Sequence, residues 1–223
     1  MMKRLLFVSY FCISAIISFG QTKPIFYYPF NGDTIDESGN GNVCTNFGAT
    51  LTTDRFGNEN SAYYFDGTDD YMQIIPNIDV SSLGDFTLSL WFSQTSWKYS
   101  PKINSPDPTL IGMQYIFSGH AASLTGSTVS EGIGVCLKLK SDSTSAIMPY
   151  YHWGTEKPTS NRVVQLIDYS DLETWKHIVL IRKDGKDSVY VNGILNSQPI
   201  YYSNTPSDDK IDLQHPLYLG SFN

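Results

Sequence analysis

One stretch of the sequence leaves the chain little choice of architecture. Lys176 to Arg182 is a run rich in Ile, Val and Leu. Lys183-Asp184-Gly185-Lys186 interrupts it, Ser188 to Val191 follows as a second run, and Asn192-Gly193 interrupts again. Asp-Gly and Asn-Gly favour tight hairpins, because a turn matching the twist of its flanking strands needs positive φ at its central residues. The stretch predicts a β-meander, with Lys176 to Arg182 as a strand buried on both faces. Phe86, Leu88, Leu90 and Phe92 alternate with Thr87, Ser89 and Trp91, so a further strand presents its larger apolar set on one face.

Elsewhere, short runs rich in Tyr, Phe, Val and Ile recur between clusters of Gly, Asn, Asp and Ser, and no sustained helical stripe with caps appears. Strands are predicted at Ile25 to Phe30, Ala62 to Phe65, Tyr71 to Ile75, Tyr115 to Ser118, Val135 to Leu139 and Leu217 to Leu219. The expected fold is all-β: a two-sheet antiparallel sandwich in one domain, since sandwiches commonly run to about 200–250 residues undivided. Lys98 to Thr109, His120 to Glu131 and His152 to Asn161 read as long polar loops, where recognition concentrates on a rigid scaffold.

Residues 1–20 pair a basic start, Lys3-Arg4, with an apolar run from Leu5 to Phe19 that is interrupted by Ser9 and Ser14. This pattern predicts an export signal cleaved before Gln21, and a mature domain over 21–223 with no transmembrane anchor. The expected location is outside the inner membrane: secreted, periplasmic or at the cell surface. The whole chain carries 15 basic and 22 acidic residues, a net charge of −7; losing Lys3 and Arg4 leaves 13 basic residues and a charge of −9. Such a surface repels phosphate backbones, so nucleic acid is not an expected partner. Cys44 and Cys136 remain after cleavage. In an oxidising compartment they either pair or stay as buried thiols, and a core of this size favours the second.

The order of motifs resembles the bacterial laminin G-like jelly roll of the concanavalin A-like lectin and glucanase superfamily. It runs through Tyr28-Pro29-Phe30-Asn31-Gly32-Asp33, Asp36-Glu37-Ser38-Gly39-Asn40-Gly41, Thr53-Asp54-Arg55-Phe56-Gly57, and Ala62-Tyr63-Tyr64-Phe65-Asp66-Gly67-Thr68-Asp69-Asp70-Tyr71. It continues with Asp85 to Phe92, Trp175-Lys176-His177-Ile178-Val179, Tyr190-Val191-Asn192-Gly193 and Leu217-Tyr218-Leu219-Gly220. The resemblance implies fold more firmly than function, because the superfamily holds lectins, enzymes and adhesion modules. It also implies a further strand beyond the Leu-Gly segment, beside the first strand, whereas this sequence stops at Asn223. The expectation is a sandwich lacking its final strand, a fragment of a longer protein, with Ile25 to Phe30 left as an unpaired edge.

Two ligand chemistries suit the composition. Asp33 and Asp36, in the Gly-rich stretch from Asn31 to Asn42, offer oxygens of the kind calcium takes, and are equally suited to satisfying turn backbone. The run Asp66 to Asp70 is also acidic, but between two strand signals it reads as a hairpin. Trp97, Tyr99, Tyr150, Tyr151, Trp153, Tyr201 and Tyr202 lie in or beside loops and suit a glycan, whose C–H faces stack on aromatic rings, with His152 offering a polar contact beside Trp153; for any one of those rings filling core is the stronger reading, and a lone His is more often structural.

Hydrolysis finds no support. Glu37, Glu59, Glu131, Glu156 and Glu173 are each isolated in turn or loop signals, and none is followed two residues later by Asp. No Gly-x-Ser-x-Gly elbow or His-Glu-x-x-His helix occurs. The reading is a non-catalytic carbohydrate-binding or adhesion module for a glycan or glycosylated surface. A structural or protein–protein interaction domain is the alternative, and a glycosidase-associated role comes third.

Overall fold

A computed structural model describes residues 23–80, 83–96, 110–122, 129–140, 145–152, 161–163, 167–169, 171–184, 186–196 and 216–220. Among these residues every regular element is a β-strand. In chain order they are β1 Val43–Phe47, β2 Thr50–Thr52, β3 Ala62–Tyr64, β4 Tyr71–Ile75, β5 Phe86–Phe92, β6 Leu110–Ala122, β7 Val129–Lys140 and β8 Ser145–His152. There follow β9 Asn161–Val163, β10 Ile167–Tyr169, β11 Lys176–Lys183, β12 Lys186–Val191, β13 Ile194–Asn196 and β14 Leu217–Leu219. No described helix is long and apolar enough to cross a membrane.

An eight-stranded antiparallel sheet runs β1-β4-β14-β6-β7-β8-β10, with β9 also on β8; a four-stranded sheet runs β13-β12-β11-β5; β2 and β3 pair separately. The meander forms as its turns predict. Lys183 pairs with Lys186 across Asp184, which has φ 50°, and Val191 pairs with Ile194 across Asn192 and Gly193, at φ 51° and 79°. The two large sheets share a core. Ile74, Phe117, Ile133 and Leu217 of the larger sheet meet Leu180 and Val189 of the smaller, and Val135, Leu137 and Ile147 meet Phe92 and Ile178. Full burial of each such aliphatic side chain is worth about 1.5–3 kcal/mol relative to exposure.

Several expectations need correction. Ile25 to Phe30 forms no strand, because its backbone is satisfied by the turn that follows. The Asp36 carboxylate accepts Tyr27 N–H, Glu37 N–H donates to the Tyr27 carbonyl, and the Asn40 and Asn42 side-chain amides donate to the Ile25 carbonyl. Pro29 lacks a donor and Phe30 sits at φ 57°, which ends any extended ladder. Ile25, Phe26 and Tyr28 still pack against the core.

Asp66 to Asp70 is not a hairpin. β3 pairs with β2, whereas β4 pairs with β1 and β14, so the turn carries the chain from one sheet to another. Lys176 to Arg182 is not buried on both faces: Lys176, Ile178, Leu180 and Arg182 are buried, while His177, Val179 and Ile181 are half-buried on the outer face. The expected loop from His120 to Glu131 is shorter at both ends, since β6 runs on to Ala122 and β7 starts at Val129; residues 123–128 lie outside the described residues. Glu131 is therefore a strand residue.

Cys44 and Cys136 are both free thiols. Four strand-to-strand steps separate β1 from β7, about 19 Å at the usual ~4.8 Å spacing, far beyond the reach of a disulfide. Burial pushes the Cys44 thiol up to about 11.

Candidate functional site

The pleat decides which side chains leave the core. In β4, Met72 and Ile74 are buried inward, so Tyr71, Gln73 and Ile75 occupy the outer face of the eight-stranded sheet. Phe47 stands opposite Tyr71 and stacks on it, with ring centroids 4.6 Å apart and planes 13° from parallel. Tyr218 pairs with Gln73 from the other side, 6.2 Å from the Tyr71 ring, and its hydroxyl accepts a bond from Gln73 Nε2 at 3.2 Å. Phe47 is 40% exposed. The three rings form a strip on a paired backbone, with an amide and a phenol along its edge.

The backbone pairing register runs on across the sheet from Gln73 and Tyr218. Thr45, Gln73, Tyr218, Ser118, Gly134 and Tyr150 form one cross-strand row over β1, β4, β14, β6, β7 and β8. Tyr151 and His152 follow on β8, where their backbones pair with Ile133 and Gly132 of β7 and with Arg162 and Asn161 of β9. They are strand residues. Trp97, Tyr99, Trp153, Tyr201 and Tyr202 lie outside the described residues.

Asp33 and Asp36 are both engaged with their own turn. Asp36 accepts five hydrogen bonds: from the N–H groups of Tyr27, Ser38 and Asn42, the Ser38 hydroxyl and the Asn42 amide. Burial works against ionisation there, but the bonds from Ser38, Tyr27 and Asn42 outweigh it and hold the carboxyl below the usual range. Asp33 Oδ1 accepts Ile35 N–H at 2.9 Å. Among the described residues, the carboxylates that converge are those of Asp66, Asp69 and Asp70, within 4.8 Å of one another. Two of them also organise their turn, Asp66 accepting Thr68 N–H and Asp70 accepting Asp66 N–H.

A second aromatic cluster stands on the outer face of the four-stranded sheet. Trp91 of β5 faces His177 of β11, and the Arg55 guanidinium carbon lies 4.4 Å from the Trp91 ring centre and 4.2 Å from that of Phe56. Arg55 and Phe56 come from a turn built on Asp54, whose carboxylate accepts the N–H groups of Phe56 and Asn58 and the Asn58 amide.

No protein-family model matches the chain, and no curated protein matches it. Its chemistry is read from these two faces. Sequence reasoning passed over Phe47, Gln73, Tyr71 and Tyr218 as ligand residues, although the alternation from Tyr71 to Ile75 already places Tyr71 and Gln73 together and opposite Met72 and Ile74.

Proposed function

We propose that this chain is a secreted, non-catalytic glycan-binding or adhesion module with a laminin G-like, concanavalin A-like jelly roll. The observation that carries the reading is the strip of Phe47, Tyr71 and Tyr218 with Gln73 on the outer face of the eight-stranded sheet. Sugars stack their C–H faces on such rings while their hydroxyls take up amide and phenol partners. Strands fix these side chains before the ligand arrives, so little ordering entropy opposes binding. The mechanism is equilibrium association with modest affinity at one site, raised where several modules are linked.

A structural or protein–protein role is the second reading, favoured by Val43 and Ile75, two exposed apolar partners at one end of the same face. A glycan array run beside a protein pull-down separates the two. Binding to a defined set of glycans, weakened by Tyr218→Ala with circular dichroism unchanged, supports the first reading; protein capture without glycan binding supports the second. Turnover of any member of a chromogenic glycoside panel contradicts the non-catalytic assignment.

A further inference from the structure

The Arg55 cluster presents a cation in an unusual setting. The chain is acidic, with 22 acidic residues against 15 basic, yet among the described residues Arg55 has no ion-pair partner. Asp54, its neighbour in sequence, directs its carboxylate to the N–H groups of its own turn and makes no salt bridge to Arg55, although the Arg55 charge is among the causes that hold that carboxyl below the usual range. The Arg55 guanidinium carbon lies over the Phe56 ring and over the Trp91 ring. A guanidinium that engages aromatic rings through its π surface can still offer its in-plane N–H fork to an acceptor approaching edge-on, the geometry of a bidentate carboxylate.

The surroundings fit a ligand carrying both a carboxylate and a ring. Beside the cation, Phe56 is 72% exposed and Trp91 is 42% exposed. His177 stacks parallel to Trp91, with Nε2 2.8 Å from Ser89 Oγ. Burial and then the charge of Arg55 hold its imidazole below the usual range, so Arg55 is the cation of the cluster at neutral pH. The rigid sheet under Trp91 and His177 and the Asp54 turn under Arg55 and Phe56 fix the arrangement in advance.

We infer that Arg55 and Phe56, backed by Trp91, form a second binding site, on the opposite face of the sandwich from the Tyr71 strip, for a saccharide bearing a carboxylate. This rests on the glycan-binding reading for the choice of a sugar. The carboxylate is taken by the guanidinium fork, and the sugar ring lies against Phe56.

The test is calorimetric titration of the chain with a panel of uronic-acid and sialic-acid oligosaccharides, each beside its carboxyl-reduced form and a neutral oligosaccharide, together with an acidic peptide. At least one acidic saccharide is expected to bind at least tenfold tighter than its reduced form. Arg55→Lys, which keeps the charge and loses the fork, and Phe56→Ala should each remove that preference at an unchanged unfolding midpoint, while Tyr71→Ala leaves it intact. Equal binding of acid and reduced forms, no binding of any acidic member, full retention in Arg55→Lys, or equal affinity for the acidic peptide overturns the inference. Loss of neutral-glycan binding in Tyr71→Ala reads the first site separately, so either can fail alone. Should a variant unfold, chemical-shift changes on wild-type Trp91 and Phe56 during the titration decide, and their absence overturns the site.

Discussion

Trp91 and His177 face each other across β5 and β11 with ring centroids 4.5 Å apart and planes 7° from parallel. The His177 backbone is fixed as well, donating to Asn192 Oδ1 and accepting from Asn192 N–H. Burial first, and then the charge of Arg55, hold the imidazole below the usual 6.5. Between that depressed value and 6.5 the unfolded chain binds more protons than the folded one, so stability rises with pH through the window. The contribution of His177 is therefore fully present above about 6.5 and is lost as pH falls through the folded value. Urea unfolding from acid to neutral pH should show a weaker acid dependence in His177→Gln than in wild type. An NMR titration should place the His177 value higher in Arg55→Gln.

Leu180, 0% exposed, lies where the two sheets meet, and Leu195 lies exposed on β13. Leu180→Ala should destabilise by about 2–5 kcal/mol, through lost burial and the cavity left behind. Leu195→Ala should change stability by less than about 0.5 kcal/mol, as exposed substitutions usually do. Paired urea melts check both values. A similar cost at the two positions would contradict the shared core.

Asp36→Asn tests turn against cation. Replacing one carboxylate oxygen by an amide forces a donor against donors in a cluster of five accepted bonds, and should destabilise by about 2 kcal/mol. The midpoint should fall equally in calcium and in chelator, because the lost partners are N–H and O–H groups of the chain. A loss confined to calcium would instead give Asp36 the cation-binding role that its composition also suits.

Gly48 packs directly beneath the Asp70 carboxylate at φ +92°, whereas Gly57, at φ +87°, has open space where a side chain would go. Gly57→Ala carries only the backbone strain, about 1 kcal/mol. Gly48→Ala adds a collision with the group that accepts Asp66 N–H, and should destabilise by roughly 2–4 kcal/mol. Thermal unfolding of the two variants side by side measures the difference.

Hairpins were the legible part of this fold, since Asp184-Gly185 and Asn192-Gly193 encode their turns locally. The strands at Tyr71–Ile75, Phe86–Phe92 and Leu217–Leu219 were legible from alternation and apolar content. β1 was not, because Val43 to Phe47 is a mostly exposed strand with little apolar pattern. Ile25 to Phe30 carried strand composition, but the Asp36, Asn40 and Asn42 side chains capture its backbone, an outcome set by tertiary contact. Both aromatic faces depend on register between distant segments: Phe47, Tyr71 and Tyr218 meet only once β1, β4 and β14 align, and Arg55 reaches Trp91 only through a turn folded over the sheet.

The most direct test of the central claim is a glycan array probed in parallel with wild type and with a Tyr71→Ala, Tyr218→Ala double variant of matched unfolding midpoint. Wild type should retain a discrete set of glycans, and the variant should lose at least tenfold in affinity for that set. Retention of no glycan by wild type, or undiminished binding by the variant, would contradict the assignment of this face to glycan recognition.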